Sequence, residues 1–171
     1  TNGAGFAAPQ GEMLQRALQG FGLSWLELSR HHHDGATNQA IMRFRPEVAI
    51  GDQAVFERTA RQLADAIALR LVCILQRGGV AQPQDVAAYL LWARQCGAGT
   101  VVFREFSRLD DGYRDNATAR YLRAERVSMD ALLTACLDDP EVSRGWTLEA
   151  LTEGYYFWNL RLRTESGLNV V

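Results

Sequence analysis

The sequence predicts an α/β protein in which parallel strands alternate with helices in repeated βαβ units. Residues 69–75 and 100–106 are almost continuously apolar, which is typical of strands that helices cover on both faces of a parallel sheet. Segments with helical periodicity or helix-start residues precede both stretches, and the connections are short. The chain has 171 residues, 47% apolar and 22% charged, so it can bury one sizeable core. The same composition excludes a disordered chain or a coiled coil.

The first predicted element is a short helix over 12–21, which ends at Gly20 and Gly22. Its apolar residues recur at three- and four-residue spacing, so we expect one stripe to face a core: Met13, Leu14, Ala17, Leu18 and Phe21. Residues 23–28, around Trp25, then predict a buried strand that leads into the polar loop 29–34.

Three further helices and a hairpin complete the predicted order. A helix within 52–69 has one apolar face, formed by Phe56, Ala60, Leu63 and Ile67. The next begins at Pro83 and runs to about residue 96, and another begins at Ser128 and ends before Pro140. Aromatic and alternating residues after 145 favour a hairpin or an antiparallel extension. We therefore expect a core unit over 1–145 and a C-terminal extension over 146–171.

Charge and cysteine usage narrow the possible functions. The formal net charge is −2, and all 18 basic residues are arginines. A nucleic-acid partner is therefore not expected, and the lack of lysine excludes Schiff-base and Walker-lysine chemistry. Cys73, Cys96 and Cys136 form no Cys-x-x-Cys pair, which favours reduced thiols and a cytoplasmic location. The sequence shows no signal peptide and no apolar segment long enough to span a membrane. Both ends of the chain are expected to be truncated.

Reactive residues of parallel α/β folds gather at the carboxyl ends of the strands. The candidate ends are 1–3, 29–34, 76–79 and 104–110. The run His31, His32, His33 and Asp34 contains metal-ligand types, but neighbouring loop residues point apart and the chain has no other histidine. A polar loop with one useful histidine is therefore favoured over a metal centre. Dinucleotide-binding and hydrolase glycine motifs are absent from the sequence.

The order of these segments carries a resemblance to a known family. A strand ending in Thr-Asn-Gly at 1–3 is followed by a strand ending at Ser29, then by Asn38 and Arg43 at nine and fourteen positions, and by 71–79 and 101–105. Together they resemble radical S-adenosylmethionine (SAM) enzymes of the branch that contains viperin and the molybdenum-cofactor enzymes. The resemblance implies units three to six of a partial (β/α)6 TIM-like barrel, over about 1–140, with the hairpin as an extension.

The resemblance also implies roles for individual residues. Ser29 and Arg43 would hold the amino-acid end of SAM, with the guanidinium paired to its carboxylate. Asn38 would contribute to that site or only brace its loop, and Ser107 would contact adenine mainly through its backbone. Three residues would face the substrate: Thr1, Arg70 and His31. On purely structural grounds, Ser29 would be a loop cap and Arg43 a solvated charge.

Two departures from the family pattern stand out. Val72 occupies the position where viperin-like members carry an asparagine that holds the ribose, and valine cannot make that hydrogen bond. The family's Cys-x-x-x-Cys-x-x-Cys loop and its glycine-rich motif are missing from the sequence, and the spacing of the three cysteines cannot replace them. The resemblance therefore implies that the ligands of a [4Fe-4S] cluster lie upstream.

The implied function is part of an enzyme that reductively cleaves SAM to a 5'-deoxyadenosyl radical, which abstracts hydrogen from an unknown substrate. An external electron donor would be its partner, and this chain alone would be inactive. One alternative is an inactive binding module on a half-barrel, with its open sheet edge or the aromatic run 155–158 as the interaction surface. Another is a metal-dependent TIM-like hydrolase that uses His31, His33 and Asp34.

Overall fold

The computed structural model describes residues 1–110, 112–154 and 158–171. In these ranges the chain forms an α/β fold with one six-stranded sheet. The strands are β1 (Leu26–Ser29), β2 (Leu69–Ile74), β3 (Thr100–Arg104), β4 (Thr147–Glu153), β5 (Trp158–Arg163) and β6 (Asn169–Val170). The helices are α1 (Gly11–Gly20), α2 (Gly35–Met42), α3 (Gln53–Ala64), α4 (Pro83–Gln95), α5 (Ala117–Glu125), α6 (Met129–Asp138) and α7 (Pro140–Ser143), with a 3-10 turn at Ala49–Gly51.

The sheet is mixed and mostly parallel. Its strand order is β1-β2-β3-β6-β5-β4. The first four strands in this order run parallel, whereas β5 pairs antiparallel with both β6 and β4. The predicted α/β class with parallel strands is therefore confirmed. The C-terminal strands extend this same sheet, and the predicted aromatic run 155–158 lies outside the described residues except for Trp158.

One face of the parallel strands forms the core. Leu28, Leu71 and Val101 lie side by side in register and are fully buried. Phe103 packs on this face against Tyr89 of α4, with the ring centroids 5.6 Å apart. Phe56 of α3 lies in the same buried cluster. The apolar stripes of α3 and α4 thus cover the face of the sheet to which the odd-numbered residues of β2 point.

The opposite face of these strands is more open, which corrects the expectation that helices cover both faces. Glu27 and Arg70 are register partners, and each side chain is 32% exposed. Arg70 also lies 4.0 Å from the ring centroid of Trp25, and Arg104 reaches Glu27 at 3.2 Å. Charged side chains from three consecutive strands therefore meet on this face, which we call the open face.

Helix starts follow the residues that predict them. The Gln82 and Asp85 side chains and backbones form a reciprocal capping box at the start of α4, with Pro83 in its first turn. Ser128 caps α6 through the backbone N–H of Ala131. In α1, by contrast, the prediction that the whole stripe faces a core is wrong, because Met13 is 66% exposed and the flanking Phe21 is 81% exposed. In the described ranges no helix combines the length and apolarity needed to span a bilayer.

Candidate ligand site at the carboxyl edge of the parallel strands

Strands β1, β2 and β3 all end at the same edge of the sheet because they run parallel. Ser29, Val72 and Val102 are register partners, and their side chains lie on the open face. The loops that follow the three strands therefore start next to one another. This arrangement brings the predicted strand-end segments 29–34, 76–79 and 104–110 to one edge.

His31 joins the exits of β1 and β2. Its Nδ1 accepts a hydrogen bond from the backbone N–H of Ile74 at 3.1 Å, so the ring proton is assigned to Nε2. Its carbonyl lies 3.4 Å from the Cys73 thiol. Burial lowers the pKa of His31 below its ordinary value of 6.5. Burial thus favours the neutral imidazole, and its Nδ1 is occupied by a structural contact.

Asn38 braces the same loop from helix α2. It is fully buried, and its Oδ1 accepts the backbone N–H of His31 at 2.9 Å. Its Nδ2 donor has no hydrogen-bond partner among the described residues. Asp34 caps the helix that carries Asn38, through the backbone N–H and hydroxyl of Thr37. Asn38 thus braces the loop through Oδ1, while its Nδ2 has no hydrogen-bond partner among the described residues.

Thr1 and Ser29 are neighbours through their backbones. The Ser29 N–H donates to the Thr1 carbonyl at 2.7 Å, and the Thr1 amine donates to the Glu27 carbonyl at 3.1 Å. These two bonds are the pattern of parallel pairing along the outer edge of β1. The predicted Thr-Asn-Gly segment therefore lies beside the strand that ends at Ser29.

Arg43, Ser107 and Arg70 lie apart from this group. Arg43 is exposed at the C-terminal end of α2, eight helical residues away from the loop, and no hydrogen bond joins it to Ser29. Ser107 is exposed in the segment after β3. Arg70 lies near the amino end of β2, where its partners are Glu27 and Trp25. The structure thus assembles Thr1, Ser29, His31 and Asn38, and leaves the other three separate.

Sequence reasoning missed Arg30, the most unusual residue at this edge. Its side chain is fully buried and lies 4.6 Å from the Phe56 ring centroid. One guanidinium nitrogen donates to Gln53, but Nε and Nη1 have no hydrogen-bond partner among the described residues. Burial lowers the pKa of Arg30. The Tyr89 hydroxyl donates to the Arg30 carbonyl at 2.7 Å, which fixes the backbone where β1 ends.

Neither the cysteines nor the histidine run provides a metal-ligand set. Burial raises the pKa of Cys73, that of Cys96 to about 12 and that of Cys136 to about 11, so the thiols stay protonated. In the part of the chain that the structure describes, no three Cys, His, Asp or Glu side chains cluster as ligands. The rings of His32 and His33 stack at 4.3 Å instead. The hydrolase alternative therefore gains no support from the geometry.

A cavity of about 980 Å³ lies beside the carboxyl end of β3. Its lining includes Phe103, Phe106 and Met129 together with Ser107 and Arg108. Ser107, which the resemblance connects with adenine, is thus at a cavity wall. Comparison of the chain with protein-family models, curated proteins and solved structures gives no match.

Proposed function

We propose that this chain is part of a radical SAM enzyme and contributes units three to six of a partial (β/α)6 barrel. The observation that carries the proposal is the unequal covering of β1–β3, since helices pack on one face and the other is open. In a (β/α) barrel the helices lie outside, and ligands bind where strands end. A sheet with one helix-covered face, charged side chains on the other and a braced loop at its carboxyl edge supports such a part.

Two side chains at the carboxyl edge offer donors for the amino-acid end of SAM, the Ser29 hydroxyl and the unpartnered Nδ2 of Asn38. The Arg43 guanidinium, which the resemblance assigns to the same group, lies apart from them at the end of α2. Arginine suits a carboxylate because its planar fork can donate two parallel hydrogen bonds. Reduction of SAM by one electron from a [4Fe-4S] cluster would release methionine and supply a 5'-deoxyadenosyl radical for hydrogen abstraction. The part of this chain is to bind and orient the cofactor at the carboxyl edge.

The cysteines of this chain do not fit the cluster. They are buried, widely spaced along the chain and held as neutral thiols, whereas cluster ligands are thiolates. Under this proposal the cluster ligands are supplied by residues outside these 171, and the electron donor and the substrate are separate molecules. By itself the chain is expected to bind SAM without cleaving it.

Equilibrium dialysis of the 171-residue chain against SAM tests the proposal. We expect binding that weakens about tenfold in Ser29→Ala and in Arg43→Gln, because each removes a donor to a charged ligand. Arg45→Gln is the matched control, since Arg45 is an exposed arginine two positions away. Absence of SAM binding, or an equal loss in all three variants, would overturn the proposal.

The binding-module alternative is favoured by strand β4. All seven of its residues are exposed, including Leu148 and Leu151 at 60% and 65%, and its outer edge pairs with no described strand. Such an edge can pair with another strand. Sedimentation velocity distinguishes the two functions. Self-association that the double variant Leu148→Lys/Leu151→Lys abolishes, without SAM binding, would favour the module, whereas a SAM-binding monomer would favour the enzyme.

A further inference from the structure

A second, strongly basic cavity adjoins the first and is not used by the proposed function. Its volume is about 420 Å³, and four arginines and one serine supply its polar lining: Arg77, Arg108, Arg123, Arg126 and Ser107. They come from the loop after β2, the segment after β3 and the end of α5. We call this space the arginine cavity.

Backbone contacts hold its two sides together. Gln76 and Arg126 form an antiparallel bridge, and the Arg77 N–H donates to the Glu125 carbonyl at 2.8 Å. The Tyr121 hydroxyl donates to the Gln76 side chain at 2.7 Å. Arg77 is the second residue of a turn closed by Gly79 N–H to Gln76 O at 3.0 Å, whose third residue, Gly78, has φ +72°. The positions of Arg77 and Arg126 are therefore fixed by the main chain.

Three of these arginines are paired with carboxylates, and those carboxylates lie outside the cavity. Glu105 pairs with Arg126 and lies 4.0 Å from Arg108, which also lies 3.7 Å from Asp130. Asp115 lies 3.3 Å from Arg123 and is shared with Arg120. In the described parts of the chain Arg77 forms no ion pair, and no carboxylate lines the cavity. The positive charges that face it are therefore incompletely balanced.

Arg126 adds an unsatisfied donor. Its Nε is buried and has no hydrogen-bond partner among the described residues. A buried donor without a partner is unfavourable, and crowding of like charges adds to that cost. An oxyanion in the cavity would accept from the arginines that line it and offset the crowding of their charges. Arginines suit phosphate in particular, because their planar forks match its oxygen geometry.

We propose that the arginine cavity binds the phosphate group of a phosphorylated small molecule, whose organic part lies in the adjoining 980 Å³ cavity. Ser107 and Arg108 line both spaces, so one ligand can extend from one into the other. Phe103, Phe106 and Met129 give the larger cavity apolar walls suited to the organic part. This binding does not require SAM.

Titration calorimetry of the 171-residue chain with inorganic phosphate and with phenyl phosphate, at constant ionic strength in chloride, tests the inference. We expect both to bind, phenyl phosphate the tighter by about tenfold, because only its ring removes apolar surface from water. Arg77→Gln should weaken both about tenfold by loss of a charged donor. Arg94→Gln, at an exposed arginine on α4, should change neither.

Two results would overturn the inference. Absence of phosphate binding, or equal weakening by Arg77→Gln and Arg94→Gln, would remove the phosphate site. Equal affinity for the two ligands would remove the role of the larger cavity. Because the Arg77 side chain is exposed, its variant is expected to fold, and circular dichroism verifies this. Arg43→Gln should leave phosphate binding unchanged, so failure here is distinguishable from failure of SAM binding.

Discussion

Strands β1 and β2 of the parallel region and the antiparallel strand β4 are all rich in leucine, yet their leucines differ in burial. Leu28 and Leu71 are fully buried, whereas Leu148 and Leu151 are 60% and 65% exposed. The parallel strands are joined by long connections that contain α2, α3 and α4, and α3 and α4 pack on the sheet. Only residues 154–157 join β4 to β5. The leucines of β1 and β2 are thus covered because the connections of these strands contain helices that pack on the sheet, whereas the apolar content of β4 alone does not bury it.

The largest expected effect tests this contrast directly. Phe56→Ala removes a ring that is 1% exposed, between α3 and the sheet. We expect it to lower the free energy of unfolding by about 3–5 kcal/mol, through lost transfer energy and the cavity left behind. Leu151→Ala, on β4, should change it by less than about 0.5 kcal/mol. Urea denaturation followed by circular dichroism measures both, and similar losses in the two variants would abolish the distinction.

A smaller change in stability is expected at the carboxyl edge of the parallel strands, where Arg30 is buried. Arg30→Met keeps the length of a fully buried side chain and removes a charge that pairs with no carboxylate among the described residues. Replacement of such a group by a well-packed apolar one is often stabilising, so we expect a gain of about 1 kcal/mol. Arg30→Ala should instead lose about 2 kcal/mol because it leaves a cavity. A loss in the methionine variant at unchanged fold would show that the guanidinium stabilises the edge.

The smallest effect concerns pH. Burial lowers the pKa of His31 below 6.5, so the unfolded chain takes up the proton first as the pH falls. The stability that the folded chain gains by keeping His31 neutral is complete above about pH 6.5, and it is lost as the pH falls through the lowered pKa. His31→Asn keeps an acceptor for Ile74 but cannot titrate. It should therefore reduce the acid loss, the decrease in the free energy of unfolding as the pH falls, by less than about 1.4 kcal/mol per pH unit.

Denaturation curves at pH 7 and pH 5 measure this difference. His32, whose pKa is also lowered by burial, and the carboxylates leave a residual pH dependence in the variant. An unchanged acid loss in His31→Asn would show that His31 does not carry it.

Elements with strong local signals were predictable from the sequence. Pro83 indicated the start of α4, whose observed bounds are close to the predicted ones, and the periodicity within 52–69 indicated α3, which ends at Ala64. Helix α5 was missed, because its stabilising contact is distant: Gln76 meets Arg126, 50 positions away along the chain. The pairing of β6 with β3 and the exposure of Met13 likewise depend on which segments return to the sheet.

The residues of the candidate sites likewise divide into those that the local sequence predicts and those that only tertiary contacts bring together. Ser29 ends β1, His31 lies in the loop that follows it and Asn38 lies in the next helix, so chain order alone indicated that they are neighbours. The burial of Arg30 depends on Phe56 of α3, which no local pattern connects to it. The arginine cavity combines three segments that tertiary contacts bring together, among them the bridge between Gln76 and Arg126. Sequence patterns indicate strand ends, whereas tertiary contacts determine which charges share a cavity.

The backbone at position 43 has a consequence for protein engineering. Arg43 has φ 50° and ψ 47°, and in the described ranges it is the one residue other than glycine with positive φ. A side chain in this left-handed region costs about 1–2 kcal/mol that glycine does not incur. Directed evolution for heat resistance would therefore favour Arg43→Gly and discard the guanidinium without any sign of damage. A thermostability screen at this position should be paired with a ligand-binding screen, since the two selections favour opposite residues.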